Sequence, residues 1–154
     1  MVQASEEIAS DAGAAFALLC EVEKWPVWLS LARSVRRVDS GAALGTGSEI
    51  AIHAPLLGHD EELYVVERFI DGHLLYLESA YSCRRSWEFR IERKGARGRI
   101  NVTLAYATYG GWLGARLDRL GRARRAAAAL AASVVHFKGL VEFENHPNRV
   151  LADF

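Results

Sequence analysis

The sequence predicts an α+β domain: a curved antiparallel sheet of about seven strands covered by one long C-terminal helix. Three observations carry that prediction. Between residues 34 and 106 apolar side chains recur at every second position. Short turn signals separate these runs, as in a meander of hairpins. From residue 112 the spacing becomes helical and holds for about 33 residues. A sheet with one apolar face must bury it, and only this helix is long enough to do so.

The elements follow in order. Val2, Ala4 and Ile8 stand at even positions among polar residues and predict a first strand. Ser10-Asp11 offers an N-cap before AGAAFALLC, an alanine- and leucine-rich run that favours helix. Pro26 stops that helix at Lys24 or Trp25, and VWLSLA predicts a second short helix with Pro26 in its first turn. SVRRVD is a short strand and GAALGTG a glycine-rich turn. SEIAIHA, DEELYVVERFI, HLLYLES, RRSWEFRIERK and RGRINVTLAYATY are further strands, joined by turns at PLLGH, Asp71-Gly72 and Gly95-Ala96. In the tryptophan-bearing strand Arg85, Trp87, Phe89 and Ile91 share one face, and Cys83 has the same parity. Gly110-Gly111 breaks the last strand. The long helix then carries two apolar stripes, Leu113/Leu117/Leu120 and Ala127/Leu130/Val134/Phe137/Val141, with Gly121 between them as a place to bend. A short tail is expected from about residue 146, with Pro147 in it.

At 154 residues, 51% hydrophobic and 25% charged, the chain reads as one globular domain, residues 1–154. No uninterrupted apolar run approaches the ~20 residues that span a bilayer. The N-terminus lacks the basic and apolar regions of a signal peptide. Cys20 and Cys83 read as reduced thiols, so a cytoplasmic protein is expected. Net charge is zero, yet residues 1–83 hold 5 Lys/Arg against 13 Asp/Glu, and residues 84–125 hold 12 against 3. Acidic strands beside basic ones account for this, as would a basic rim facing an anionic partner. A near-neutral pI argues against nucleic-acid binding.

The order of elements and the local text resemble the START/Bet v 1-like (SRPBCC) superfamily, in its polyketide cyclase/dehydrase and lipid-transport-like branch. VQASEEIAS followed by AGAAFALLCEVEKWPVWL resembles that family's opening strand, helix and aromatic-Pro-x-aromatic segment, with Glu21 where an aspartate is common. GTGSEI resembles the start of its third strand, RRSWEFR its tryptophan-bearing strand and VVHFKGLVE the end of its closing helix. The resemblance implies a helix-grip fold, in which the sheet wraps the long helix around an apolar cavity. It implies a hydrophobic or aromatic small-molecule ligand and no cofactor. Both a cyclase/aromatase-like enzyme and a non-catalytic carrier of lipid or isoprenoid quinone fit it. A regulatory module is a third option, its basic Arg116–Arg125 segment meeting an acidic carrier protein.

The cavity is expected among Trp28, Ile52, Tyr64, Arg68, Tyr81, Arg85, Trp87, Phe89, Tyr106, Val134 and Phe137, with Trp25 in the core. Arg68 resembles in position a cavity arginine that polarises polyketide carbonyls, but local alternation leaves its face open. Arg85 needs a carboxylate, solvent or a polar ligand atom if its parity turns it inward. These two arginines are the only catalytic candidates. The tyrosine that cyclases place after the aromatic-Pro segment is missing from SLARS. Other chemistry finds no support. The histidines at 53, 59, 73, 136 and 146 lack metal-ligand spacing. No G-x-S-x-G elbow occurs, and the glycines at 45 and 47 precede a strand rather than a helix. His136 falls on the solvent side of the closing helix.

Overall fold

The computed structural model describes residues 1–39, 41–58, 60–106 and 112–145, with side chains of the last segment described from 121 to 144. The Gly110-Gly111 break, the side chains of Leu113, Leu117 and Leu120, His59, and the tail with His146 and Pro147 lie outside the described residues. Strand β1 (Val2–Ile8) leads to helix α1 (Ala12–Cys20), a 3₁₀ turn (Val22–Lys24) and the single-turn helix α2 (Trp25–Trp28). Strands β2 (Ser34–Arg37), β3 (Glu49–His53), β4 (Glu62–Ile70), β5 (Leu74–Ser79), β6 (Ser82–Lys94) and β7 (Arg97–Ala105) follow, then helix α3 (Trp112–Asn145).

The seven strands form one antiparallel sheet in the order β1-β7-β6-β5-β4-β3-β2. Each neighbour from β2 to β7 is the next strand in sequence, joined by longer loops on either side of β3 and by tight turns from β4 onward. Gly72 and Gly95 take positive φ angles of 75° and 61° at two of those turns, a region costly for other residues. Charge follows the pairing. Arg99 on β7 bonds Glu7 on β1 at 2.7 Å, and Arg85 on β6 meets Glu62 on β4 at 2.9 Å. The uneven distribution of charge along the chain is in these places a cross-strand arrangement.

Two local expectations are corrected. Helix α1 ends at Cys20, ahead of Lys24, because Glu21 leaves helical dihedrals and its N–H turns back to Leu18 O at 3.1 Å. Helix α2 stops at Trp28 because Leu29 is extended, so it does not run on through SLA. Asp11 does cap α1, accepting a bond from the Gly13 N–H.

Helix α3 packs against β1, β7, α1 and α2, and sends Ala126, Leu130, Val134, Phe137 and Val141 into the core. By length and composition Gly121–Glu144 is apolar enough to cross a membrane, although its longest uninterrupted apolar run, residues 126–132, is far shorter than a bilayer span. Only 33% of its most apolar part is buried. Ser133 is buried where the helix meets the α2–β2 connection, accepting from Ser30 N and bonding Ala129 O.

Candidate functional site

Two regions of the grip's interior divide the expected cavity residues between them. Trp25, Trp28, Trp87, Phe89 and Phe137 are fully buried and lie against one another in the middle. Ring centroids are 4.6 Å apart for Trp25–Phe89, 4.8 Å for Trp28–Phe137 and 6.2 Å for Trp28–Phe89. Trp25 donates its indole N–H to Leu19 O at 2.8 Å, tying the end of α1 to α2. Pro26 places both tryptophans on one short turn, so each ring reaches the same cluster. Trp28, Trp87, Phe89, Phe137 and Val134 are therefore core here, the four aromatic rings packed against one another rather than onto the pocket. Tyr106 packs on the edge of this core, where burial raises its phenol above the ordinary value.

The open space lies at one end of the sheet. A pocket of about 480 Å³ is lined by Ile52 from β3, Glu62 and Tyr64 from β4, Tyr81 and Arg85 at the β5–β6 hairpin, loop residues 54–58, 60 and 61, and Arg122 from α3. Four of the expected residues meet there: Ile52, Tyr64, Tyr81 and Arg85. Strand pairing explains why. Ile52 is opposite Glu62, and Tyr64 is opposite Ser79, so these side chains share the concave face near the strand ends.

Glu62 organises the polar side of the pocket. Its Oε1 accepts from the Ser79 hydroxyl at 2.7 Å and meets Arg85 Nη1 at 2.9 Å. Its Oε2 accepts from the Tyr64 hydroxyl at 3.0 Å. Glu62 and Arg85 are each only 17% exposed, so the pair is largely out of water and better defined than a surface ion pair. Burial, and then the Glu62 charge, raise the Tyr64 phenol well above its ordinary range. Tyr64 thus stays a neutral hydroxyl at physiological pH, able to accept from a ligand while donating to Glu62. The arrangement can orient a polar oxygen, and among the described residues that line it there is no histidine. The opposite side, Ile52, Ala54, Pro55, Leu56 and Leu57, is apolar.

Arg68 is elsewhere. A bulge between Val66 and Arg68 inserts one residue, which reverses the alternation of β4 and turns Arg68 outward. Its guanidinium lies 4.7 Å from the Tyr76 ring centroid and 3.7 Å from Glu88 on the outer face, with the side chain 59% exposed. Cys83 is also exposed, because the alternating burial of β6 becomes regular only further along, toward Trp87. The face of Arg68, which alternation left open, is thus the outer one, so its place among the expected cavity residues is corrected, and Cys83 is exposed although it shares the parity of Arg85 and Trp87. His136 is exposed. Among the described residues no three His, Cys, Asp or Glu side chains are grouped to hold a metal ion.

Sequence reasoning missed the loop 54–61 and Arg122. The available signal for the loop was PLLG, whose two leucines are half-buried against the core although they lie in a turn. Arg122 carried no signal, because its approach to the pocket depends on how α3 lies across the sheet.

No protein-family model matches the chain, and no curated protein does. Solved structures are similar over nearly its whole length. TTHA0849 from Thermus thermophilus superposes with a TM-score of 0.69 at 16% identity, covering 91% of this chain and 95% of that one. The Zhui aromatase/cyclase from Streptomyces sp. R1128 gives 0.65 at 14% identity, covering 92% and 93%. A START superfamily protein from Mycobacterium smegmatis gives 0.55 at 13% identity, covering 86% and 95%. Sheet order, the helices after β1 and the long closing helix agree with these likenesses. The chain has a helix-grip, SRPBCC-like fold similar to that of these structures.

Proposed function

We propose that this protein binds a hydrophobic or aromatic small molecule that carries at least one polar oxygen, in the manner of polyketide cyclase-like proteins. One observation carries the reading: a pocket of about 480 Å³ pairs an apolar wall with the Glu62–Tyr64–Arg85 cluster. That volume falls within the roughly 300–1,000 Å³ of small-molecule sites, which are mostly apolar with a few fixed polar groups. The apolar rings of the ligand lie on Ile52, Leu56 and Leu57, and its oxygen meets Tyr64 and Arg85. Leu56 and Leu57 sit on a loop, which is where binding surfaces concentrate. The two free thiols, Cys20 and Cys83, fit a reducing cytoplasm.

The cluster favours holding a ligand over transforming it. Glu62 already accepts from two hydroxyls and pairs with a guanidinium, and Tyr64 is far from titrating near neutrality. Aldol-type cyclisation needs proton transfer as well as orientation. Native mass spectrometry of gently purified protein tests the reading, followed by titration with 1-naphthol and a hydroxyanthraquinone. Binding that weakens ~10-fold or more in Tyr64→Phe or Arg85→Ala supports it. Equal affinity in wild type and both variants, or no binding by either probe, overturns it.

A further inference from the structure

We propose that two copies of this chain associate through the outward face of α3, with the two helices antiparallel; this does not depend on what the pocket binds. The starting point is a mismatch between composition and burial. Gly121–Glu144 is the most apolar long segment of the described chain, yet only 33% of its most apolar part is buried. Ala127, Ala129 and Leu140 are partly buried beside the core, and several other apolar residues face out. Ala128, Ala132, Val135 and Gly139 are all exposed, with Val135 at 52% and Phe143 at 61% exposure. They are not scattered. Ala128 and Val135 are seven residues apart, as are Ala132 and Gly139, and a seven-residue repeat keeps one seam facing a partner helix. The buried set, Ala126, Leu130, Val134, Phe137 and Val141, runs along the opposite side of the same helix.

Charge selects the occupant and its direction. Arg124 and Arg125 are exposed at one end of the seam, while Glu142 and Glu144 stand at the other. A parallel pair would set arginine beside arginine and glutamate beside glutamate. An antiparallel pair sets Arg124 of each copy beside Glu142 of the other. Those two residues are eighteen apart, five helical turns, so they flank the seam on the same side. With Ala132 on the twofold axis facing its own copy, Arg125 lies level with the partner's Gly139, Ala128 falls within one residue of the partner's Val135, and Arg124 falls within two residues of the partner's Glu142, a shift of about 3 Å that the long side chains span. Glu142 Oε1 accepts from the Ala9 N–H at 2.9 Å, and the carboxylate keeps a second oxygen for an arginine. Alanine and glycine at the crossing let the axes approach to about 8 Å. A lipid surface fits less well, because interfacial helices pair large apolar residues with a basic polar face, and this seam is small-residued and acidic at one end.

Sedimentation equilibrium across a concentration series tests the proposal, with cysteine cross-linking in a Cys83→Ser background. The expected mass rises from the 17.0 kDa chain toward twice that value. Ala132→Glu, which sets two carboxylates face to face, should weaken the dimer at least ~10-fold with an unchanged circular dichroism spectrum. Ala132→Cys should link to itself on oxidation, while Ala128→Cys should link to Val135→Cys and not to itself. A 17.0 kDa species persisting to roughly 0.5 mM overturns the proposal. So does a dimer that Ala132→Glu leaves intact, or one in which Ala128→Cys links to itself as readily as Ala132→Cys. Co-sedimentation of a monomer with phosphatidylglycerol vesicles would assign the face to lipid and likewise overturn it.

Discussion

The middle of the grip and its open end are built from the same strands and do opposite things. In the middle, Trp25, Trp28, Trp87, Phe89 and Phe137 are fully buried and pack ring against ring. At the end, two positions before Trp87 on β6, Arg85 replaces aromatic rings and pairs with Glu62. There the sheet holds a polar cluster beside the apolar residues 54–57 and leaves an open pocket. Filled volume in the middle stabilises the fold, because interiors are close-packed and every ring adds dispersion and burial. The end gives up some of that packing and gains a site. A long helix across a curved sheet thus does not by itself imply an internal cavity: side-chain volume decides where the space lies.

Substitutions at the two regions should separate these roles. The largest effect belongs to the middle. Trp28→Ala removes a ring that touches Trp25, Phe89 and Phe137, and should lower unfolding free energy by ~3–5 kcal/mol in urea titration. A loss below ~1 kcal/mol would mean that the middle is loosely packed and the contrast is wrong. At the open end Glu62→Ala leaves Ser79, Tyr64 and Arg85 without their shared acceptor, for a cost of ~2 kcal/mol. Glu62→Gln, which keeps an acceptor for the hydroxyls, should recover part of that loss.

Alkaline pH sharpens the comparison further. Burial pushes the Cys20 thiol up from 9.0 to about 11, and it raises the Tyr64 phenol too. The folded state therefore retains protons that the unfolded chain releases. Stability is fully present below the unfolded pKa and falls as pH rises from about 9 toward 11, then further as Tyr64 is drawn in. The Cys20 part amounts to roughly 1 kcal/mol after allowing for solvent screening, and Cys20→Ala should flatten the early decline. Denaturant midpoints at pH 8, 9.5 and 10.5 would measure it. The smallest effect is expected at Arg68→Ala, whose exposed pair and ring contact should change stability by less than ~1 kcal/mol. Ligand affinity measured with the naphthol probe should not change at all in that variant.

Arg68 and Arg85 show where reading the sequence stops. Both stand on strands with strong alternation. For Arg85, parity with Trp87 and Phe89 survives in the sheet, and the carboxylate that its burial demands comes from Glu62 on β4. For Arg68, one bulged residue at Glu67 reverses the alternation, and nothing in LYVVERFI marks the bulge. Trp28 teaches a different point. Its type and its place beside Pro26 put it inside the grip, but whether it faces space or another ring depends on Phe89 and Phe137 from distant segments.

What this sequence determined alone was periodicity: which segments are strand or helix, their order, and which face of each is apolar. Those properties are local, set by backbone geometry and the spacing of side chains along one element. The tertiary structure alone decided where volume was left over. That outcome depends on the bulge in β4, on the aromatic rings that meet from distant elements, and on the path of α3 that brings Arg122 to the loop 54–61. Pocket position is a difference between enclosed space and side-chain volume, and that difference exists only once distant parts of the chain are packed together.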